Sequence, residues 1–171
     1  MHKGINIIFL DVDGVLNCAS TKERCGQYIG IEEEKVKLLK QLVDKTKAYL
    51  ILTSTWKFMW YRSPEQKCKQ DELADYLDES LDKYGLKITE KTRDKDPFNR
   101  GRGIIDYLTM IRRRGVKVNN FVILDDMTFD YVLTNLMNHF VKTNYETGLQ
   151  QKHIDLALFM MNAIIEENQK V

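Results

Sequence analysis

Apolar residues gather in three dense runs, 7–10, 49–52 and 121–124, and each run breaks off at a cluster of polar side chains. Short runs of that composition predict strands buried on both faces. The strands are placed at 5–10, 48–52 and 121–124, with shorter ones at 86–89 and 139–142. Between them, apolar positions recur at helical spacing. Residues 31–44 carry Val36, Leu39 and Val43 on one face with Leu38 and Leu42 beside it, 71–84 carry Leu73, Leu77 and Leu81, and 103–114 carry Ile104, Leu108 and Ile111. A closing helix is read at 154–165, a shorter one at 130–137, and the aromatic stretch 56–61 begins another that Ser63-Pro64 breaks. Gly85 and Gly115 read as helix stops. Residues 17–30, a loop or flap, and the loop 91–102 lack periodicity.

Strands alternating with helices predict an α/β fold, a Rossmann-like three-layer sandwich with a mostly parallel five-stranded sheet. In such sheets ligands sit outside the carboxyl ends of the strands. Three of the predicted strands end there in functional groups: Asp11 and Asp13, Thr53 and Ser54, Asp125 and Asp126. Residues i and i+2 of an extended chain point to one side, so Asp11 and Asp13 are expected to share one small volume. Two carboxylates about 4 Å apart repel by about 4 kcal/mol at an effective dielectric near 20, which calls for a hard cation between them, Mg²⁺ first. Gly14 lets the backbone turn sharply or approach a bound group. Each cluster alone reads as a solvated turn or a helix cap. Their convergence is what points to a site.

Composition narrows the class. A chain of 171 residues, 43% hydrophobic and 30% charged, fits one globular domain over residues 1–171. No apolar run approaches a membrane span, and the start of the chain runs into a strand; a cytoplasmic location and no membrane partner are the expectation. Cys18, Cys25 and Cys68 are odd in number and lack C-x-x-C spacing, so free thiols are expected. The net charge of +1 argues against a protein wrapped in nucleic acid. Between Lys91 and Lys117, however, nine Lys or Arg stand against three Asp, a local excess of six beside the strand-end acids that would guide a polyanion. His2, His139 and His153 are scattered and read as surface or packing residues.

The motif Asp11-Val12-Asp13-Gly14-Val15 resembles the first motif of the haloacid dehalogenase (HAD) superfamily of phosphohydrolases, with Thr53 as its second, Arg100 as its third and Asp125-Asp126 as its fourth. Residues 52–57, Arg100-Gly101 with Ile104, Tyr107 and Leu108, 122–126 and 147–149 further resemble the small capless HAD domains associated with RNA repair and polynucleotide phosphatases. The resemblance implies a HAD-like fold with a minimal cap or none, and a Mg²⁺-dependent phosphomonoester hydrolase. Asp11 would be the nucleophile that forms an aspartyl phosphate, and Asp13 the general acid and base. Mg²⁺ would be held by Asp11, Asp126 and the Asp13 main-chain carbonyl, with Asp125 and Asp130 in support. The Thr53 hydroxyl and the Ser54 N–H would hold a phosphoryl oxygen. Arg100 stands where the family usually has lysine, with Arg102 and Lys95 as the other cations at hand. Gly14, Ser54, Arg102 and Trp56 would face the substrate, Trp56 with Phe58, Trp60 and Tyr61 offering either a stacking surface for a base or core packing. A capless site implies bulky phosphorylated substrates, nucleic-acid ends foremost. Two other readings remain: a non-catalytic HAD-like module that binds phosphate or nucleic acid, and a receiver domain. A receiver's phosphate-accepting Asp would end the third strand, which here ends Ile88-Thr89-Glu90. The oligomeric state stays open.

Overall fold

The first apolar run becomes the centre of the sheet. In the computed structural model, which describes residues 4–61 and 71–168 with side chains through residue 162, β1 (Ile5–Leu10) lies between β4 (Tyr49–Leu52) and β6 (Val118–Asp125). β5 (Ile88–Lys91) and β7 (Phe140–Lys142) form the edges, and every pairing is parallel. Side chains alternate across the sheet as the pleat requires. Ile8, Leu10, Leu50, Leu52, Val122 and Leu124 enter one core, covered by α1 (Glu33–Thr46), α2 (Glu72–Asp82) and α4 (Gln151–Asn168). Ile7, Phe9, Ile51, Phe121 and Ile123 enter the other, covered by α3 (Arg100–Arg113) and by Tyr131 and Leu136 from the loop after β6. The three-layer α/β architecture is therefore the one the periodicity predicts.

The helix stops are built as expected. Gly85 and Gly115 take left-handed φ values of 66° and 80°, and the residue after each donates back five positions, Leu86 to Leu81 and Val116 to Ile111. That pattern is the Schellman closure. It also delays β5, because Leu86 serves the end of α2 and the strand begins only at Ile88.

Other boundaries differ for local reasons. The stretch read as a helix at 130–137 is a series of turns, because Phe129 and Asn135 hold positive φ values of 42° and 57°, which an α-helix does not admit. Its buried residues, Tyr131 and Leu136, are five apart and off helical spacing. The aromatic stretch after β4 forms only a short 3-10 turn, Thr55–Phe58, and a second such turn, Met137–His139, precedes β7. The predicted break at Ser63-Pro64 falls outside the described residues, as do His2 and Cys68.

Residues 17–30 are stitched down. A small hairpin, β2 (Arg24–Cys25) with β3 (Tyr28–Ile29), is flanked by bonds from Thr21 to Glu32, from the Ala19 N–H to the Tyr145 carbonyl (2.9 Å) and from the Ile31 N–H to the Tyr76 hydroxyl (3.1 Å). Among the described residues, this hairpin is all that rises between β1 and α1, and no separate cap domain is present. No helix among them is long and apolar enough to cross a membrane.

Candidate active site

Register does the first part of the assembly. Leu10 is paired with Leu52 on one side and with Leu124 on the other, so the next residue of each strand, Thr53, Asp11 and Asp125, falls in one row across the carboxyl ends. The row is held by backbone bonds, Thr53 N–H to the Leu10 carbonyl (2.9 Å) and Asp11 N–H to the Leu124 carbonyl (3.0 Å). It continues outward to Thr92 and Thr143, whose N–H groups donate to Leu52 (3.0 Å) and Asp125 (2.9 Å). With neighbouring strands about 4.8 Å apart, these side chains have no choice but to be close.

Three carboxylates gather there. Asp11, Asp125 and Asp126 each offer an oxygen within 4.8 Å of the others. Asp126 sits against Gly14, where a Cβ would come within 2.5 Å of its carboxylate carbon; Gly14, at φ 71°, is thus required both by conformation and by space. Burial, then the charge of Asp11, push the Asp125 and Asp126 carboxyls above the usual carboxylate range. The cluster is one that a cation would relieve. Asp11 Oδ1 is buried with no hydrogen-bond partner among the described residues, an acceptor a hard metal would satisfy. The donor set thus fits Mg²⁺.

One protein cation already lies among these acids. Arg100 is 5% exposed and its Nη1 pairs with Asp11 Oδ2 (2.9 Å) and Asp125 Oδ2 (2.7 Å). Its guanidinium lies 4.2 Å from the centre of the Phe129 ring. Burial works against its charge, and the two carboxylates outweigh it, raising its pKa further. Asp125 is fixed in turn by the Tyr131 hydroxyl (2.8 Å to Oδ2) and the Met127 N–H (3.0 Å to Oδ1).

Arg100 reaches this position because α3 begins three residues earlier than its periodicity predicts. Asn99 makes no side-chain cap. Asp130, from the loop after β6, accepts from the N–H groups of Gly101 (2.6 Å) and Arg102 (2.9 Å) and so caps the helix from a distance. Asp130 therefore supports the site by holding α3, outside the carboxylate cluster. Gly101 leaves room for it, since a Cβ there would strike Thr134 Oγ1 and come within 2.9 Å of Asp130 Oδ1.

The other two candidate cations are elsewhere. Arg102, with its side chain 70% exposed, pairs with Asp106 on the helix surface (3.2 Å), and Lys95 is exposed in the loop before α3. The basic excess between Lys91 and Lys117 does not form one patch. Lys91 donates to the carbonyls of Lys57 and Trp60, Arg100 is buried, and Arg112, Arg113 and Arg114 lie exposed at the far end of α3, about 20 Å along its axis.

Asp13 stands just past the row, where the chain has left β1. The chain turns at residues 12–16, with Val15 and Leu16 N–H groups both donating to the Val12 carbonyl. The Asp13 carboxylate lies outside the cluster of three and is held by two donors. Asn17 Nδ2 gives to Oδ1 (2.9 Å) and the indole Nε1 of Trp56 gives to Oδ2 (3.0 Å). Trp56 is 4% exposed, so its ring belongs to the core and offers no stacking face; Trp60, equally buried, donates to Asp78 (2.8 Å). Of that aromatic group, Phe58 is exposed. Asn17 also accepts from the Gly14 N–H (3.0 Å), and Thr143 Oγ1 donates to the Gly14 carbonyl (2.7 Å).

Thr53 is fully buried and its hydroxyl has no partner among the described residues. Ser54 caps the following 3-10 turn through its Oγ. Lys57, buried in that turn, pairs with Asp94 and donates to Thr92 Oγ1 (3.2 Å), and burial lowers its pKa. Asn17, Tyr131, Phe129 and the Lys57–Asp94 pair are the site's unforeseen members. Lys57 falls within the stretch 52–57 that carries the resemblance, but its pairing with Asp94, like the places of Asn17, Tyr131 and Phe129, shows only in three-dimensional proximity.

Cys18 and Cys25 are buried free thiols. His139 stacks on Phe121 (3.9 Å between centroids) and donates to its carbonyl, and His153 accepts from the Gln150 N–H. Both have the packing role expected of them.

A family model described as the HAD domain in Swiss Army Knife RNA repair proteins matches residues 7–154. No curated protein matches the chain.

Proposed function

The chain belongs to the family of HAD domains in Swiss Army Knife RNA repair proteins, and from that premise we propose that it is a Mg²⁺-dependent phosphomonoester hydrolase working through an aspartyl phosphate on Asp11. The observation that carries the reading is the row Thr53, Asp11, Asp125 with Asp126 and Arg100 gathered on it. Asp11, Asp126 and the Asp13 main-chain carbonyl would hold the metal, with Asp125 behind them. Bound there, Mg²⁺ supplies Lewis-acid neutralisation of phosphoryl charge.

The chain's own groups do the rest. Asp11 attacks phosphorus from the centre of the row. Arg100 carries a fixed positive charge beside it, so that an anionic ester can approach a carboxylate. Thr53 Oγ1, otherwise unpartnered, and the Ser54 N–H hold a phosphoryl oxygen. Asp13 gives its proton to the leaving oxygen as that P–O bond breaks and the bond to Asp11 forms. It then takes a proton from the water that cleaves the intermediate, releasing inorganic phosphate and restoring both acids.

The substrate is a phosphorylated nucleic-acid end. The family's description, in RNA repair proteins, supports it, as does the open approach left by a hairpin where larger enzymes carry a cap. The test is inorganic phosphate release from p-nitrophenyl phosphate, with Mg²⁺ and with chelator, for the wild type and Asp11→Asn. Turnover that needs Mg²⁺ and Asp11 is expected. A wild type inert under Mg²⁺ toward this ester and toward 3′- and 5′-phosphorylated oligonucleotides would sink the reading.

A further inference from the structure

Trp56 lies in the first turn after Thr53, and its indole N–H is spent on the carboxylate of Asp13. We infer that Trp56 is a positioning residue which, with Asn17, aims the proton of Asp13 at the leaving oxygen, so that the protein is built for esters of poorly departing alcohols. The inference rests on the phosphatase reading above and deepens it.

The two contacts fix Asp13 without consuming it. Each oxygen accepts one bond, Oδ1 from Asn17 and Oδ2 from Trp56, and a carboxylate has about four acceptor sites, so each oxygen keeps one for the proton in transit. The orientation of Asn17 is set by the Gly14 N–H on its Oδ1, which leaves its Nδ2 as the group facing Asp13. Both partners of Asp13 are therefore pure donors, and neither can take a proton from it.

The placement also joins two functions through one turn. Residues 53–56 put the Thr53 hydroxyl in the row of strand ends and, three residues later, a donor on the acid. Ser54 Oγ accepts from the Trp56 N–H (3.4 Å), and Lys91 binds the turn to β5 through the Lys57 and Trp60 carbonyls. Trp60 is the internal contrast. It is as buried as Trp56 and its N–H also meets a carboxylate, but that carboxylate is Asp78 on α2, away from the row.

Leaving-group dependence separates positioning from mere packing. Nitrophenolate departs without a proton, whereas the alkoxide of glycerol 2-phosphate does not. The quantity to compare is kcat/KM, which reports the steps through cleavage of the ester. In Trp56→Phe we expect kcat/KM for glycerol 2-phosphate to fall by about 10–100-fold, part of the roughly 10²–10⁴-fold that a general acid contributes, and that for p-nitrophenyl phosphate by less than about 3-fold. Replacing Trp56 by benzothienylalanine, which keeps the bicyclic shape and removes only the N–H, should give the same split if the phenylalanine variant folds poorly. Trp60→Phe should leave both esters unchanged. Equal losses on both esters, or no loss on either, in the benzothienylalanine protein would overturn the inference while leaving the phosphatase reading intact. A wild type without turnover of either ester or of 3′- and 5′-phosphorylated oligonucleotides would remove the reading and the inference together.

Discussion

The two ends of α3 carry the same residue type to opposite fates. At its start Arg100 is buried among Asp11, Asp125 and the Phe129 ring; at its end Arg112, Arg113 and Arg114 are exposed to solvent. In sequence they are parts of one basic stretch. What separates them is register, which places three strand ends under the first turn and nothing comparable under the last. Local charge density is therefore a poor guide to a phosphate site, and the surroundings into which a charge is folded are a good one.

The strongest way to test that contrast is Arg100→Met. It strands two buried carboxylates, which should cost about 3–5 kcal/mol of stability, and it should lower kcat/KM for an aryl phosphate by about 10²–10³. Thermal melts and phosphate release read the two effects. Melts that move no more than those of an Arg113→Met protein would erase the distinction.

Next comes Asp126→Asn. Burial and the Asp11 charge raise the folded carboxyl above its unfolded value. Its contribution to stability is thus full at acid pH and is lost as pH climbs from the unfolded carboxylate pKa through the folded one. The metal-free variant should melt higher than wild type at neutral pH. Wild type should also gain about 2.7 kcal/mol at Mg²⁺ a hundred times its Kd, a gain the variant largely forgoes. Melts with and without Mg²⁺ across pH check both signs.

Smaller effects separate the glycines. Gly101→Ala should cost about 1–3 kcal/mol by overpacking against Thr134 and Asp130, and should lower turnover as Arg100 shifts. Gly115→Ala meets nothing within 4 Å and should cost only the roughly 1 kcal/mol of a left-handed alanine, with turnover intact. Least of all, replacing Arg112, Arg113 and Arg114 together by Ala should lose about 1 kcal/mol of helix-end stabilisation at low salt, vanishing at high salt. Aryl phosphate turnover should not change. A drop there would mean that the far end of α3 reaches the site after all.

The row of strand ends is legible because buried parallel strands write themselves as unbroken apolar runs, and the residues just past each run must lie at the sheet's carboxyl edge. Thr53, Asp11, Asp125 and Asp126 are found that way. Asp13 is found the same way, but Asn17 and Trp56, the two donors that hold its carboxylate, are not. The choice of Arg100 over Arg102 and Lys95 depends on a cap supplied by Asp130, thirty positions along the chain from Arg100. Trp56 draws notice for its ring, when its N–H is the part that matters. Long-range hydrogen bonds of this kind leave no periodic trace.

Phe129 presents a dilemma to anyone who would redesign the protein. Its backbone sits at a φ of 42°, where glycine is at ease and a bulky residue is not, yet its ring is the floor on which the arginine rests. A glycine there would relax the chain and unseat the guanidinium; any larger residue keeps the tension. Selection for stability alone would drift one way at this position, and selection for turnover would hold it still.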